Sequence, residues 1–144
     1  MLDPDAPIRP GTSLGGIAIG ARVDEVLANA EALRVIELPA DEEGGDGVTI
    51  HSFGAIRTWS VRGIVEQVGA FEGYRGRTPE GIGLDSTIAE IQACYGEAQP
   101  LGGEGMIQLP GLPGIGIETT EWSTGDRPDP AARTIQIFVH AFDD

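Results

Sequence analysis

The chain has 144 residues, of which 40% are hydrophobic, and it carries a formal net charge of −14 at pH 7. This length suits a single domain of ordinary size, and so acidic a surface repels phosphate backbones and anionic lipid, which argues against nucleic-acid and membrane partners. There is neither a signal-peptide pattern nor an apolar run approaching roughly 20 residues, so we expect a cytoplasmic protein.

The chain begins with a short leader and then repeats itself. Residues 1–10 contain proline and aspartate, and we expect them to be loosely ordered. Residues 11–27 match residues 76–92 at a constant offset, with glycines, a glutamate and several aliphatic positions in common. We therefore predict one domain over residues 11–144, made of two repeat units, 11–75 and 76–144.

Each unit is predicted to open with an amphipathic helix. In unit one, helical spacing connects the apolar residues Val23, Val26, Leu27, Ala30 and Leu33. In unit two, the same stripe consists of Ile88, Ile91 and Tyr95. Thr87 and Glu90 have the spacing of a capping box, and Gly96 stands where a helix would end. Unit one lacks this cap, because Arg22 occupies the position that matches Thr87.

Short strand-like runs separated by turns rich in glycine and proline follow each helix. In unit one these runs are Val48–Phe53, Ile56–Val61 and Ile64–Phe71. In unit two they are Gly105–Leu109, Gly114–Glu121 and Thr134–Phe142. The predicted fold class is α+β: two tandem repeats, each a short amphipathic helix followed by about three antiparallel strands, in one pseudo-symmetric domain.

A dense acidic run precedes the first of these strands and comprises Asp41, Glu42, Glu43 and Asp46. Carboxylates of this kind bind Ca²⁺, but the run lacks the alternating ligand spacing of a calcium loop. It could also be the solvated tip of a hairpin, or an acidic hook that attracts a basic protein partner. The sequence leaves these alternatives open.

Aromatic residues supply a second candidate surface. Trp59 and Trp122 occupy matching places in the two units. In the last strand, alternation places Gln136, Phe138, His140 and Phe142 on one face, opposite an apolar face. A helix could cover the second face, or the face could be a contact surface. An exposed aromatic patch with an acidic rim would bind protein.

Candidate catalytic groups are few. Two histidines, His51 and His140, and one cysteine, Cys94, do not make a convincing zinc site. Cys94 is expected to be a buried small hydrophobe. No nucleophile elbow or phosphate-binding loop is present, so we expect no enzyme activity, no metal and no cofactor.

Residues Gly83–Gln99, with their partner at Ile19–Leu33, carry a turn, a short amphipathic helix ending in Tyr-Gly, and the start of a sheet. This phrase resembles the β-lactamase-inhibitor-protein-like and SmpA/OmlA-like families, the first of which is built as a tandem repeat. The chain departs from them in lacking paired cysteines and a lipoprotein leader. The resemblance implies helix-plus-sheet repeats that bind proteins, and assigns no individual functional residue.

These features together favour a non-enzymatic protein-binding module. All nine basic residues are arginine, a bias typical of a GC-rich genome, which favours a bacterial source. Small size, acidity and duplication suggest an immunity-type inhibitor that neutralises a cognate toxin or effector, and the partner would be basic. The alternative is an orphan structural or accessory domain that binds a small molecule or a partner subunit.

Overall fold

The computed structural model describes residues 2–39, 47–100, 106–120, 122 and 128–141. Within these ranges there are ten strands: β1 Ser13–Leu14, β2 Ile17–Ala18, β3 Arg34–Leu38, β4 Val48–Ser52, β5 Ile56–Val61, β6 Ile64–Ala70, β7 Gln99–Pro100, β8 Met106–Gln108, β9 Ile115–Thr119 and β10 Thr134–His140. The same ranges contain two helices, α1 Val23–Asn29 and α2 Ile88–Tyr95. Neither of these helices has the length and hydropathy needed to cross a membrane.

Eight of the strands form one antiparallel sheet in the order β3-β4-β5-β6-β10-β9-β8-β7. Strands β3 to β6 follow one another as a meander, and so do β7 to β10. The two meanders meet where β6 pairs with β10, with Val68 opposite Val139 and Ala70 opposite Ile137. This central pairing joins residues that are far apart in sequence, and it makes the sheet continuous. Strands β1 and β2 form a separate small hairpin.

The predicted α+β class with two helix-plus-three-strand repeats is wrong, because the structure is mostly β. Helices α1 and α2 contain only 7 and 8 residues. The apolar stripe that predicted a longer first helix does not continue as helix: Ala30 is extended, with φ −154° and ψ 144°. From Arg34 the chain forms strand β3, as the β-branched pair Val35 and Ile36 favours.

The sequence predictions for the two ends of α2 are confirmed. The backbone N–H of Glu90 donates to Thr87 Oγ1 at 3.1 Å, and the Thr87 N–H donates to Glu90 Oε1 at 3.0 Å, so the capping box is formed. Gly96 follows α2 with a φ of 87°, a conformation that glycine adopts readily. Arg22 precedes α1 without any side-chain cap.

The six predicted strand runs are all present, although most are shorter than expected. They correspond to β4, β5, β6, β8, β9 and β10, and the limits of β5 agree with the prediction. The sequence gives little signal for β1, β2 and β7, which have two residues each. Such short pairings depend on contacts from the rest of the fold.

The core lies on one face of the large sheet, which we call the inner face. Both helices and the β1–β2 hairpin pack there through Val23, Ile88, Ile91, Leu14 and Ile17. The sheet contributes alternate residues of its strands, including Val65, Val68, Ile117, Ile137 and Val139. No described helix packs on the opposite face, which we call the open face.

The N-terminal segment contacts the core and two loops of the fold. Ile8 is fully buried in the core, and its N–H donates to the Arg77 carbonyl at 2.9 Å. The N–H of Asp3 donates to the Gly15 carbonyl at 2.8 Å. Hydrogen bonds and one buried isoleucine therefore connect residues 2–10 to the body, while the degree of order of this leader stays a prediction.

The two edges of the sheet differ. Strand β3 has five residues, and the side chains of Val35 and Leu38 are 53% and 49% exposed. Strand β7 has two residues, of which the second is Pro100. The long edge therefore carries exposed apolar side chains beside its charged residues Arg34 and Glu37, and the other edge is short and contains a proline.

Candidate functional site

The open face carries large aromatic side chains beside its polar residues, whereas an antiparallel sheet with one buried face normally presents polar residues on the other. In β10, Ile137 and Val139 are fully buried on the inner face. The alternate residues Phe138 and His140 lie half-buried on the open face, as the strand pattern predicts. Both faces of β10 therefore carry large side chains, and only one of them is covered by the described helices.

Three aromatic rings meet on the open face, and we call them the aromatic cluster: Trp59 of β5, Phe138 of β10, and Phe71, which directly follows β6. The ring centroids of Trp59 and Phe138 are 5.6 Å apart, and those of Phe71 and Phe138 are 5.9 Å apart, both edge to face. Trp59 and Phe71 stack at 6.3 Å. These are favourable distances for aromatic pairs.

Gly69 forms the floor of the aromatic cluster. In the sheet it lies between Arg57 of β5 and Phe138 of β10. A Cβ atom at this position would be 2.9 Å from Phe71 Cε2, 3.0 Å from Trp59 Cζ3 and 3.1 Å from Phe138 Cδ1. The absence of a side chain therefore lets the three rings close over the strand.

A single cation is part of the cluster. The guanidinium carbon of Arg57 is 4.4 Å from the ring centroid of Phe71 and 6.0 Å from that of Trp59. At these distances the positive charge is attracted to the electron-rich ring faces. The side chain is half-buried, and it makes no hydrogen bond or ion pair with any residue in the described ranges.

A groove of about 630 Å³ adjoins the aromatic cluster on the side of Trp59. Its wall includes Val48, Val61, Glu66, Gln67 and His140. His140 Nδ1 is 2.9 Å from the carbonyl oxygen of Ala141. The groove and the cluster share Trp59, so together they form one continuous strip over β5, β6 and β10.

The structure brings together only part of the predicted surface. Trp59 and Phe138 are in contact, and His140 lies nearby in the groove. Trp122 is not equivalent to Trp59, contrary to the prediction. It lies beyond the end of β9, packs against the core, and its Nε1 donates to Thr119 Oγ1 at 2.8 Å.

Several predicted residues lie outside the described ranges: Asp41, Glu42, Glu43, Asp46 and Phe142. The predicted acidic rim is therefore untested. Of the described charges, Arg57 lies in the aromatic cluster and Glu66 lines the groove.

Sequence reasoning missed Phe71, Gly69 and Arg57 as members of the site. Strand alternation places Arg57 on the same face as Trp59, two residues away, and this signal could have been used. Phe71 ends the apolar run of β6 and matches Phe142 in the repeat. The contact of Phe71 with Phe138 depends on the pairing of β6 with β10, which the local pattern does not contain.

The potential catalytic side chains do not converge in the described residues. His51 is buried on the inner face beside Thr58, whereas His140 is on the open face. Neither His51 Nδ1 nor Thr58 Oγ1 has a hydrogen-bond partner in the described structure. Cys94 is exposed, so the expectation that it is buried is wrong.

One further polar cluster joins Tyr95, the last residue of α2, to the loop that contains Thr78 and Glu80. The hydroxyl of Tyr95 contacts Thr78 and donates to Glu80 Oε2 at 2.9 Å. Burial, with Glu80 adding to it, raises the pKa of Tyr95 to about 12, so this phenol stays protonated at neutral pH. Within the described ranges no three ligating side chains group closely enough to hold a metal ion.

Comparison of the chain with models of known protein families, with curated proteins and with solved structures finds no match. The resemblance to tandem-repeat inhibitor and outer-membrane families therefore stays a prediction, and the site must be interpreted from its own geometry.

Proposed function

We propose that this chain is a non-enzymatic protein-binding module of a bacterial cytoplasm, an immunity-type inhibitor that neutralises a toxin or effector by direct binding. The observation that carries the proposal is the aromatic cluster of Trp59, Phe71 and Phe138 on a sheet face that no described helix covers. Tryptophan and tyrosine anchors, together with arginine, dominate the energetics of protein interfaces.

The rigidity of this surface favours tight binding. The cluster stands on three adjacent strands of the sheet, β5, β6 and β10, and its rings are already in mutual contact. Binding therefore orders few side chains, which lowers the entropic cost of association. Both described helices pack on the inner face, so no helix in the described ranges has to move for a partner to reach the open face.

The net charge supports a basic partner. At −14 the chain attracts positively charged proteins and accelerates their encounter, while it repels nucleic acid and anionic membranes. The acidic run Asp41, Glu42, Glu43 and Asp46 would add to this steering. The aromatic cluster would provide the binding affinity, and the net charge would raise the association rate.

The test is affinity capture from the native cell lysate with three tagged baits: the wild type, Trp59→Ala and Phe138→Ala. The matched control is Leu27→Ala, which removes an apolar side chain of 38% exposure from α1, on the other side of the sheet. Circular dichroism and thermal unfolding establish that each bait is folded. Quantitative mass spectrometry then measures what each bait recovers.

One stoichiometric protein recovered by the wild type and by Leu27→Ala, and depleted about tenfold or more by either aromatic substitution, is the expected result. An interface hot spot of this kind typically costs 2 kcal/mol or more on truncation. A partner bound equally by all four baits contradicts the use of this face. A partner with a toxin-like domain supports the inhibitor function specifically.

The groove beside Trp59 favours a second candidate, an accessory domain that binds a small molecule or a partner subunit. Its volume of about 630 Å³ is within the range of ligand sites. If no protein is recovered, but a metabolite raises the unfolding temperature of the wild type and not of Trp59→Ala, this second function replaces the first.

A further inference from the structure

Arg57 differs from the other arginines in its surroundings. Of the eight arginines in the described ranges, it alone is half-buried, and the others are exposed. It points from β5 onto the open face, in register with Gly69 of β6 and Ser52 of β4. Its position is therefore in the middle of the proposed binding surface rather than at the periphery of the molecule.

The guanidinium is held in place by rings and not by hydrogen bonds. Its carbon is 4.4 Å from the Phe71 centroid and 6.0 Å from the Trp59 centroid. Arg75, by contrast, donates two hydrogen bonds to Asp5, at 2.6 and 2.8 Å. No carboxylate or carbonyl in the described ranges accepts a hydrogen bond from Arg57.

Within the described ranges Arg57 is a half-buried cation without a counter-ion, and such a group is well suited to an incoming anion. Guanidinium presents a planar fork of N–H donors that fits a carboxylate in a bidentate manner. The guanidinium carbon lies 4.4 Å from the Phe71 centroid, and a contact with a ring face uses none of the N–H groups as hydrogen-bond donors to a carboxylate or carbonyl. Little side-chain freedom remains to be lost when a carboxylate binds.

We propose that Arg57 receives an aspartate or glutamate carboxylate of the protein partner, and that apolar side chains next to this acid pack on the aromatic cluster. This inference rests on the proposed protein-binding function. A nucleic-acid phosphate is disfavoured as the ligand, because the net charge of −14 repels a polyanion. The partner is then basic overall but uses a local acidic anchor.

The test selects peptides from a displayed random library on the immobilised wild-type protein. Selected peptides are then measured against Arg57→Gln, which removes the charge, and Arg57→Lys, which keeps the charge but loses the fork. Arg34→Gln is the matched control, because it makes the same change of charge on the open face of β3. Trp59→Ala reports whether a peptide uses the aromatic cluster at all.

Enriched peptides are expected to carry one Asp or Glu beside aromatic or aliphatic residues. Their affinity should fall about tenfold or more for Arg57→Gln and by less for Arg57→Lys, and Arg34→Gln should bind as the wild type does. Replacing the acid of a selected peptide by its amide should produce the same loss as Arg57→Gln, and no additional loss in that variant.

The two proposals fail in different ways. Peptides that depend on Trp59 but lack an acid, or that bind Arg57→Gln as tightly as the wild type, overturn the carboxylate anchor and leave the protein-binding face intact. A library from which no peptide depends on Trp59 or Arg57 contradicts both the anchor and the proposed function.

Discussion

Gly69 determines the shape of the aromatic cluster. The strands on either side of it, β5 and β10, carry Trp59 and Phe138. A Cβ atom at position 69 would lie within about 3 Å of atoms of these two rings and of Phe71. Any side chain at this position must displace rings that contact one another. Phe138 also faces a second glycine, Gly116 of β9, where an added Cβ would meet no atom within 4 Å. The two glycines therefore differ in which atoms an added Cβ would meet: three aromatic rings at Gly69, and no atom of the described residues at Gly116.

This difference gives a matched pair of substitutions. Gly69→Ala should destabilise the protein by about 1–3 kcal/mol, the usual cost of overpacking, and should alter the near-ultraviolet circular dichroism of Trp59. Gly116→Ala should be neutral or slightly stabilising, because alanine restricts the unfolded chain and meets no clash. Denaturant unfolding measures both. Equal stabilities for the two variants would show that the rings tolerate a methyl group.

Individual residues of the site could be predicted only in part. Trp59 and Phe138 could be identified because large aromatic residues at alternate strand positions stand out locally. The contacts of Phe71 and Arg57 with them could not, because they require the β5–β6 and β6–β10 registers. The wrong prediction that Trp122 is equivalent to Trp59 has the same cause. A match between the two repeats describes positions in the sequence and does not describe which residues surround each tryptophan in the fold.

Among the elements, those with local signals were predictable. The capping box of Thr87 and Glu90 and the stop at Gly96 define α2 without reference to the remainder of the fold. Strand β3 was missed because Leu33 continues the helical stripe of α1. In the structure Leu33 is 79% exposed and directly precedes the edge strand β3. Pairing with β4 overrides the local helical period there.

Tyr74 is a buried residue whose hydroxyl forms hydrogen bonds with the N-terminal segment and with the β1–β2 hairpin. The hydroxyl of Tyr74 donates to the Ala6 carbonyl at 2.6 Å and accepts from the Gly15 N–H at 2.8 Å. It thereby ties this segment to the β1–β2 hairpin. Burial, with smaller contributions from Asp3 and Asp5, raises the pKa of Tyr74 from 10.0 to about 12, although the Gly15 hydrogen bond acts in the opposite direction.

Tyr74→Phe should lower the free energy of unfolding by about 1–3 kcal/mol at neutral pH, because the buried N–H of Gly15 and the partly buried carbonyl of Ala6 lose their partner. Since the folded pKa lies above the unfolded value, the wild type keeps this contribution below pH 10 and loses it as pH rises through about 12. The stability difference between the two proteins should therefore narrow in this interval. Denaturant unfolding across alkaline pH measures it, and a constant difference would contradict the assignment.

For the whole molecule, the fold class was not predictable from the strand and helix pattern. Six strand runs were found, yet the sheet is larger, since β3 and β7 extend each meander by one strand. The two meanders are joined where β6 pairs with β10. These two apolar strands, Ile64–Ala70 and Thr134–His140, are far apart in sequence. Local periodicity describes which face of a strand is apolar and contains no information on its neighbour.

The net charge leads to a prediction about association kinetics. Replacing Asp41, Glu42, Glu43 and Asp46 by their amides removes four of the negative charges from a chain of net charge −14. For a basic partner the association rate should fall, with a weaker dependence on salt, while the dissociation rate changes little. Stopped-flow or surface-based kinetics at several salt concentrations measures both rates. An unchanged association rate would remove the acidic run from the mechanism.

Because the two edges of the sheet differ, we expect an additional strand to pair with β3 and not with β7. Strand β3 exposes five residues of backbone, whereas Pro100 in β7 has no N–H to donate to a neighbouring strand. If two copies joined antiparallel through β3, both remaining ends of the combined sheet would be β7 edges. Growth of a fibre requires two competent edges on every added unit. Among the described strands, β3 is therefore the edge better suited to such pairing, and we expect edge-to-edge association to stop at the dimer.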